Sequence, residues 1–184
     1  TLVYCFWHSN EAVKNHDLQL TFTPASYKEG VQSQLDDRPG FTVAAWQQRP
    51  ESLGFVNIKS NDPFEAPIIQ PNYLEAEEDR KVLIAGMKLA RRLMRTEPLE
   101  PYFDFEQYPG DHIQTDDELL QIARERGTTT FHVMGSCRMG PSSDPTSVVN
   151  EKLGVHGIDG LRVIDASIMP NITSGNINAP VMML

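Results

Sequence analysis

The hydrophobic period of this 184-residue chain changes near residue 75, from about two to about 3.6. That change constrains the fold most. Residues 18–25, LQLTFTPA, alternate apolar and polar side chains, the pattern of a half-buried strand. Residues 41–47, FTVAAWQ, are a second strand candidate after the turn-forming Pro39-Gly40, and 54–59, GFVNIK, a third, with Pro50 marking an edge or turn between them. Three such strands in succession predict an antiparallel meander. Between residues 75 and 96, by contrast, Leu83, Met87, Ala90 and Met94 step by four, three and four, which lines one face of a helix that Pro98 closes. Strands followed by helices make the chain α+β.

The remaining segments are shorter. Residues 60–72 hold Pro63, Pro67 and Pro71 and predict an irregular loop with one extended piece at Ile68-Ile69. Residues 97–114 have no clean period and read as a surface excursion. Thr115-Asp116-Asp117-Glu118 forms a capping-box sequence, predicting a helix to about Arg126 that Gly127 terminates. Residues 128–134 and 161–164 read as short strands, and 135–145 as a glycine-containing loop. At the end of the chain Asn178 is a candidate N-cap, with Pro180 in the first turn. The apolar run Val181-Met182-Met183-Leu184 is too short to nucleate a helix alone. The chain opens without Met, inside the apolar run Leu2-Val3-Tyr4-Cys5-Phe6-Trp7. Both ends predict that the chain is part of something longer.

Charge and cysteine usage exclude several classes. Asp and Glu outnumber Lys and Arg by 25 to 16, and an acidic chain is a poor nonspecific nucleic-acid binder. The one basic cluster, Lys88, Arg91, Arg92 and Arg95, follows the acidic Glu75, Glu77, Glu78 and Asp79, as expected for charges that complement a helix dipole. Cys5 and Cys137 lack the spacing of a metal or redox motif and read as reduced, partly buried thiols. No stretch of 18 apolar residues is present. His8, His16, His112 and His156 are scattered and show no metal-ligand spacing.

Two residues stand out chemically. His132, in FHVMGSCRMG, precedes a glycine-containing loop where an imidazole can move a proton near neutral pH, or simply hydrogen-bond loop carbonyls. Asn176, in TSGNINAP, carries an amide able to hold a substrate oxygen, or merely to punctuate a turn. A serine hydrolase built on Ser136, Ser167 or Ser174 with His132 and Asp165 lacks a G-x-S-x-G elbow, and Cys137 lies too near His132 in sequence to make a good nucleophile pair. Tyr4, Phe6, Trp7, Phe41 and Trp46 are core residues by default. Trp46 is the preferred candidate for a pocket wall. No G-x-G-x-x-G is present, so this stretch does not carry the usual dinucleotide cradle.

The segments TTTFHVMGSCRMG (128–140) and DPTSVVNEKLGVHGIDGLRVIDASIMPNITSGNINAPVMM (144–183) resemble the C-terminal signature of the glucose–methanol–choline (GMC) oxidoreductases, and especially their choline dehydrogenase-like and alcohol dehydrogenase members. GFVNIKSNDPFEAPIIQPNYL, the helix after Glu75 and PGDHIQTDDELLQIAR extend the likeness over nearly the whole chain. The resemblance implies an FAD-dependent enzyme that moves hydride from a primary alcohol to the flavin, giving an aldehyde. It implies a substrate domain built on an antiparallel sheet of about six strands with flanking helices, completed by C-terminal segments that return to a Rossmann-like FAD domain. Residues 1–127 then correspond to substrate domain and 128–184 to the returning portion. The N-terminal FAD-binding portion is the missing partner, and the electron acceptor, oxygen or a carrier, is open. The family's catalytic histidine falls on His132 in the HxxGxxxMG pattern, and its second catalytic position on Asn176. Asp165 and Ala166 match a segment approaching the flavin and pyrophosphate. Ile177, Asn178 and Ala179 match a stretch whose backbone lies near the flavin ring. No metal is implied. The alternative is a non-catalytic binding or structural module that keeps the fold without flavin.

Overall fold

A computed structural model describes residues 3–28 and 34–184. Leu2, part of the apolar opening run, lies outside the described residues. The chain divides into two compact units, Thr1–Glu51 with Leu74–Thr128, and Ser52–Tyr73 with Thr129–Leu184.

In the first unit β1 (Val3–Trp7), β2 (Leu18–Thr23) and β3 (Thr42–Gln47) form an antiparallel sheet in the order β1-β2-β3. Leu20 pairs with Cys5 on one side and Ala45 on the other. Because β2 is central, it departs from the half-buried expectation: Leu18, Gln19, Leu20 and Thr21 are all buried. Leu18 and Leu20 meet the helix α1 (Glu77–Met94) through Val82, with Cys5, Val43, Ala45, Leu89, Ala90 and Leu93 around them. Each fully buried leucine here contributes about 1.5–3 kcal/mol. On the opposite face Gln19 lies between its cross-strand partners Phe6 and Trp46, and its side-chain oxygen accepts from the Gln48 amide, as a buried polar group requires.

The helix forms where its period predicts, but its buried face is turned by one residue. Val82 and Gly86 are buried and the half-buried Leu89, Ala90 and Leu93 pack with the core, whereas Leu83, Met87 and Met94, equally half-buried, lie outside that cluster. Gly86 is the reason. A Cβ there would stand 2.5 Å from Leu18 Cδ1 and 3.0 Å from Ala45 Cβ, so the helix approaches the sheet along its glycine. A period count gives glycine no apolar weight and cannot see this contact. Arg91 and Arg92 fall in the last turn and Glu77, Glu78 and Asp79 in the first, as the dipole favours.

Residues 97–114 are more than a surface excursion. Arg91 forks onto the Glu106 carboxylate at 2.7–3.0 Å and donates to the carbonyls of Ile113 (2.6 Å) and Gly110 (3.2 Å). Arg95 pairs with Asp111 and Lys88 with Asp116. The helix α2 (Asp116–Arg126) opens with the predicted capping box: Thr115 Oγ1 accepts from Glu118 N and Glu118 accepts from Thr115 N. Gly127 ends it in an extended conformation.

The second unit departs most from expectation. β4 (Phe55–Asn57) does not continue the meander; it pairs antiparallel with β5 (Ile68–Gln70), the short extended piece. Pro50, which has no N–H to donate, separates β3 from β4. Residues 52–73 therefore pack with 129–184. Residues 128–134 form no strand, because Phe131 turns the chain at φ +60°, and 161–164 contribute only a single bridge, Gly154 to Arg162. Val149, Ile168, Met169 and Ile177 are its buried apolar residues. The last helix, α3 (Asn178–Met182), does form one turn, with Val181 N donating to Ile177 O. Ile177, not Asn178, occupies the cap position, and Asn178 is the first helical residue. No helix among the described residues is long and apolar enough to cross a membrane.

Candidate active site

His132 is placed by its backbone. Phe131 immediately before it lies in the left-handed region, uncommon for a bulky residue. Its N–H donates to Thr129 Oγ1 at 3.1 Å, and the Tyr73 hydroxyl donates to the same oxygen at 3.0 Å. Beyond His132 the chain turns at Gly135, whose φ of +86° suits glycine. It then runs beside the segment containing Asp165 and Ala166. Gly135 N donates to Ala166 O (3.3 Å), Cys137 N to Ser167 O (2.9 Å) and Met139 N to Ile168 O (2.8 Å). These three bonds fix the HVMGSCRMG loop against the DASI segment.

Asp165 caps the short 3-10 turn Ala166–Ile168, its Oδ1 accepting from Ser167 N at 2.8 Å. Hydrogen bonds from the Ser167 side chain and backbone hold its carboxyl below the usual carboxylate range. Ile168 and Met169 are buried beneath this turn. The chain then reaches Asn176, and 44 residues of sequence separation close: Asn176 Nδ2 stands 2.8 Å from His132 Nε2. With the amide N–H donating, Nε2 is an acceptor and the ring carries its proton on Nδ1. The next residue, Ile177, is buried and anchors the segment, while Asn178 and Ala179 are exposed.

The structure thus brings His132 and Asn176 into direct contact and bonds the Asp165–Ala166 segment to the loop after His132. Ile177 offers only its backbone to anything outside. Ser136 and Cys137 do not occupy the His132 Nε2 position, which belongs to Asn176. Both cysteines are free and half-buried. Trp46, Phe6 and Tyr4 share one face of the three-stranded sheet, Trp7 lies on the other, and Phe41 stacks near Phe22 at 5.5 Å. Thr129 and Tyr73 escaped the sequence reading. A threonine two residues before a turn residue is a local signal that was there to read; Tyr73, 56 positions away, gave none.

The pair joins one half-buried imidazole to one exposed amide, and the exposed Asn178 and Ala179 follow Asn176 closely in the chain. It offers no cradle for a pyrophosphate.

Comparison with known proteins shows the family. The family model described as GMC oxidoreductase matches residues 50–184. An oxygen-dependent choline dehydrogenase from Staphylococcus xylosus is 39% identical over 181 residues, covering 97% of this chain and 32% of the relative. The namesake from Staphylococcus saprophyticus is 40% identical over 181 residues, with the same coverage. Among solved structures, pyridoxine 4-oxidase from Mesorbium loti superposes with a TM-score of 0.85 at 26% identity, over 97% of this chain and 35% of that one. A formate oxidase from Aspergillus oryzae, studied for modification of its FAD, gives 0.76 at 27% identity, over 92% and 30%. The chain belongs to the GMC oxidoreductase family, whose members are flavin-dependent oxidoreductases. It spans about a third of the length of the curated relatives it matches.

Proposed function

We propose that this chain is the substrate-side portion of an FAD-dependent enzyme that oxidises a primary alcohol to an aldehyde, with His132 and Asn176 as its catalytic side chains. The observation that carries this reading is the 2.8 Å contact between them. Residues 1–127 then belong to the substrate domain, with β1, β2 and β3 part of a larger antiparallel sheet, and 128–184 to the portion that completes the FAD domain. Asp165, Ala166, Ile177, Asn178 and Ala179 would lie along the cofactor, the last three through their backbone. FAD, when bound, accepts hydride from the alcohol carbon.

The chain's own residues do the rest. With the Asn176 amide N–H donating, His132 Nε2 is the accepting atom of the pair. An entering alcohol donates its O–H to that nitrogen in place of the amide. The Asn176 N–H then turns to the alcohol oxygen. His132 takes the proton while the amide stabilises the charge growing on oxygen. Placement of the oxygen between two fixed donors and acceptors is the main contribution. Choline is the first alcohol to test and oxygen the first acceptor, since both appear in the names of the staphylococcal relatives.

The test is anaerobic flavin reduction in the full-length, flavin-loaded protein. His132→Ala lowers the reduction rate by about 10²- to 10⁴-fold, and Asn176→Ala by about 10²-fold. An unchanged rate in His132→Ala would overturn the assignment.

A further inference from the structure

We infer that Thr129 and Tyr73 are positioning residues for His132, acting through the left-handed backbone of Phe131. The inference rests on the catalytic reading of His132 given above and extends it.

Phe131 has φ +60°, a conformation that L side chains rarely adopt and that persists only where the surroundings enforce it. Its own side chain does not enforce it, being 77% exposed. The backbone does. Phe131 N–H donates to the Thr129 side-chain oxygen two residues back, a local turn that competes with regular structure. A threonine hydroxyl is free to rotate unless something holds it. Here the Tyr73 hydroxyl donates to the same oxygen, tying it to the segment that follows β5. The order of connection is therefore Tyr73 hydroxyl, Thr129 hydroxyl, Phe131 N–H, His132 ring, Asn176 amide.

Reversing the sign of φ at 131 would swing the peptide that carries His132. The imidazole would leave Asn176, and the 2.8 Å contact would be lost. The hydroxyls of Thr129 and Tyr73 need touch neither alcohol nor flavin to matter. They decide how often His132 points the right way.

The test uses the full-length, flavin-loaded protein and whichever of choline, benzyl alcohol and pyridoxine reduces its flavin fastest. Thr129→Val keeps the shape and removes the acceptor. Its flavin-reduction rate falls on the order of 10- to 100-fold, the cost of a misplaced catalytic group, while the dissociation constant of the alcohol and the flavin content hold. Thr129→Ser, which keeps the oxygen, stays near wild type. Tyr73→Phe falls in the same direction by less. The decisive variant is Thr129→Val with Phe131→Gly. Glycine adopts positive φ without strain, so it recovers most of the lost rate, whereas a general loss of stability would worsen with glycine. If Thr129→Val matches wild type while His132→Ala is slow, or if glycine fails to rescue, the positioning role is wrong and the catalytic assignment stands. If His132→Ala is itself as fast as wild type, the catalytic assignment falls and the positioning role with it.

Discussion

Asp165 shows how a residue matched to a cofactor segment can also have a plain structural task. Its carboxylate caps the turn at Ser167, and hydrogen bonds from the Ser167 side chain and then its backbone N–H depress its pKa. A carboxylate depressed in the folded state contributes stability above its unfolded pKa and loses it as pH falls through the lower folded value. Asp165→Ala should therefore be less stable than wild type at neutral pH. The difference should fade on acidification below the ordinary carboxylate range. Asp165→Asn, which keeps an acceptor oxygen, should lose much less and show no such fade. Urea unfolding at a series of pH values checks both. Gly135 makes a second case, since alanine at φ +86° is strained whatever space surrounds it.

Helix α2 has the clearest local instructions in the chain. Thr115 and Glu118 satisfy each other's orphan backbone donors, so Thr115→Ala should cost about 1 kcal/mol. Hydrogen bonds from the backbones of Thr115 and Gln114 lower the Glu118 pKa, so its share of the cap is lost on acidification in the same sense as for Asp165. Helix α1 obeys a different constraint. Gly86→Ala gains about 1 kcal/mol of helix propensity but drives a Cβ into the fully buried Leu18, and overpacking costs about 1–3 kcal/mol. The net effect should be destabilising, and Gly86→Val more so. A stabilised Gly86→Ala in chemical denaturation would show that the sheet yields there.

Taken as a molecule, the chain joins His132 to Asn176 but carries no G-x-G-x-x-G sequence, and it spans about a third of its curated relatives. Residues 1–184 produced alone, at 20.7 kDa, should therefore show no flavin absorption in the visible and no alcohol oxidation. The band and the activity should appear only together with a portion bearing the dinucleotide fingerprint. A yellow sample of the 20.7 kDa chain would mean that these residues retain FAD unaided.

Local chemistry was legible before any coordinates. Alternation marked β2, the Pro39-Gly40 turn introduced β3, the 3.6 period marked α1, and Thr115 with Glu118 marked the start of α2. Each signal is carried by residues within a few positions of one another. The family signature also placed His132 and Asn176 without geometry. Distance in sequence hid the rest. The face of α1 turned on Gly86 meeting Leu18, 68 positions away by numbering. β4 took β5 as its partner because the chain beyond Pro50 left the first sheet, a choice no hydropathy pattern encodes. Residues 128–134 read as a strand, whereas the structure has an irregular turn there, with Phe131 at φ +60° and the Phe131 N–H and Tyr73 hydroxyl both meeting the Thr129 side-chain oxygen. The contact between His132 and Asn176 is of the same kind. Sequence names the two residues, and tertiary structure sets them 2.8 Å apart, through the backbone bonds from 135, 137 and 139, the buried Ile168, Met169 and Ile177, and the turn at Phe131.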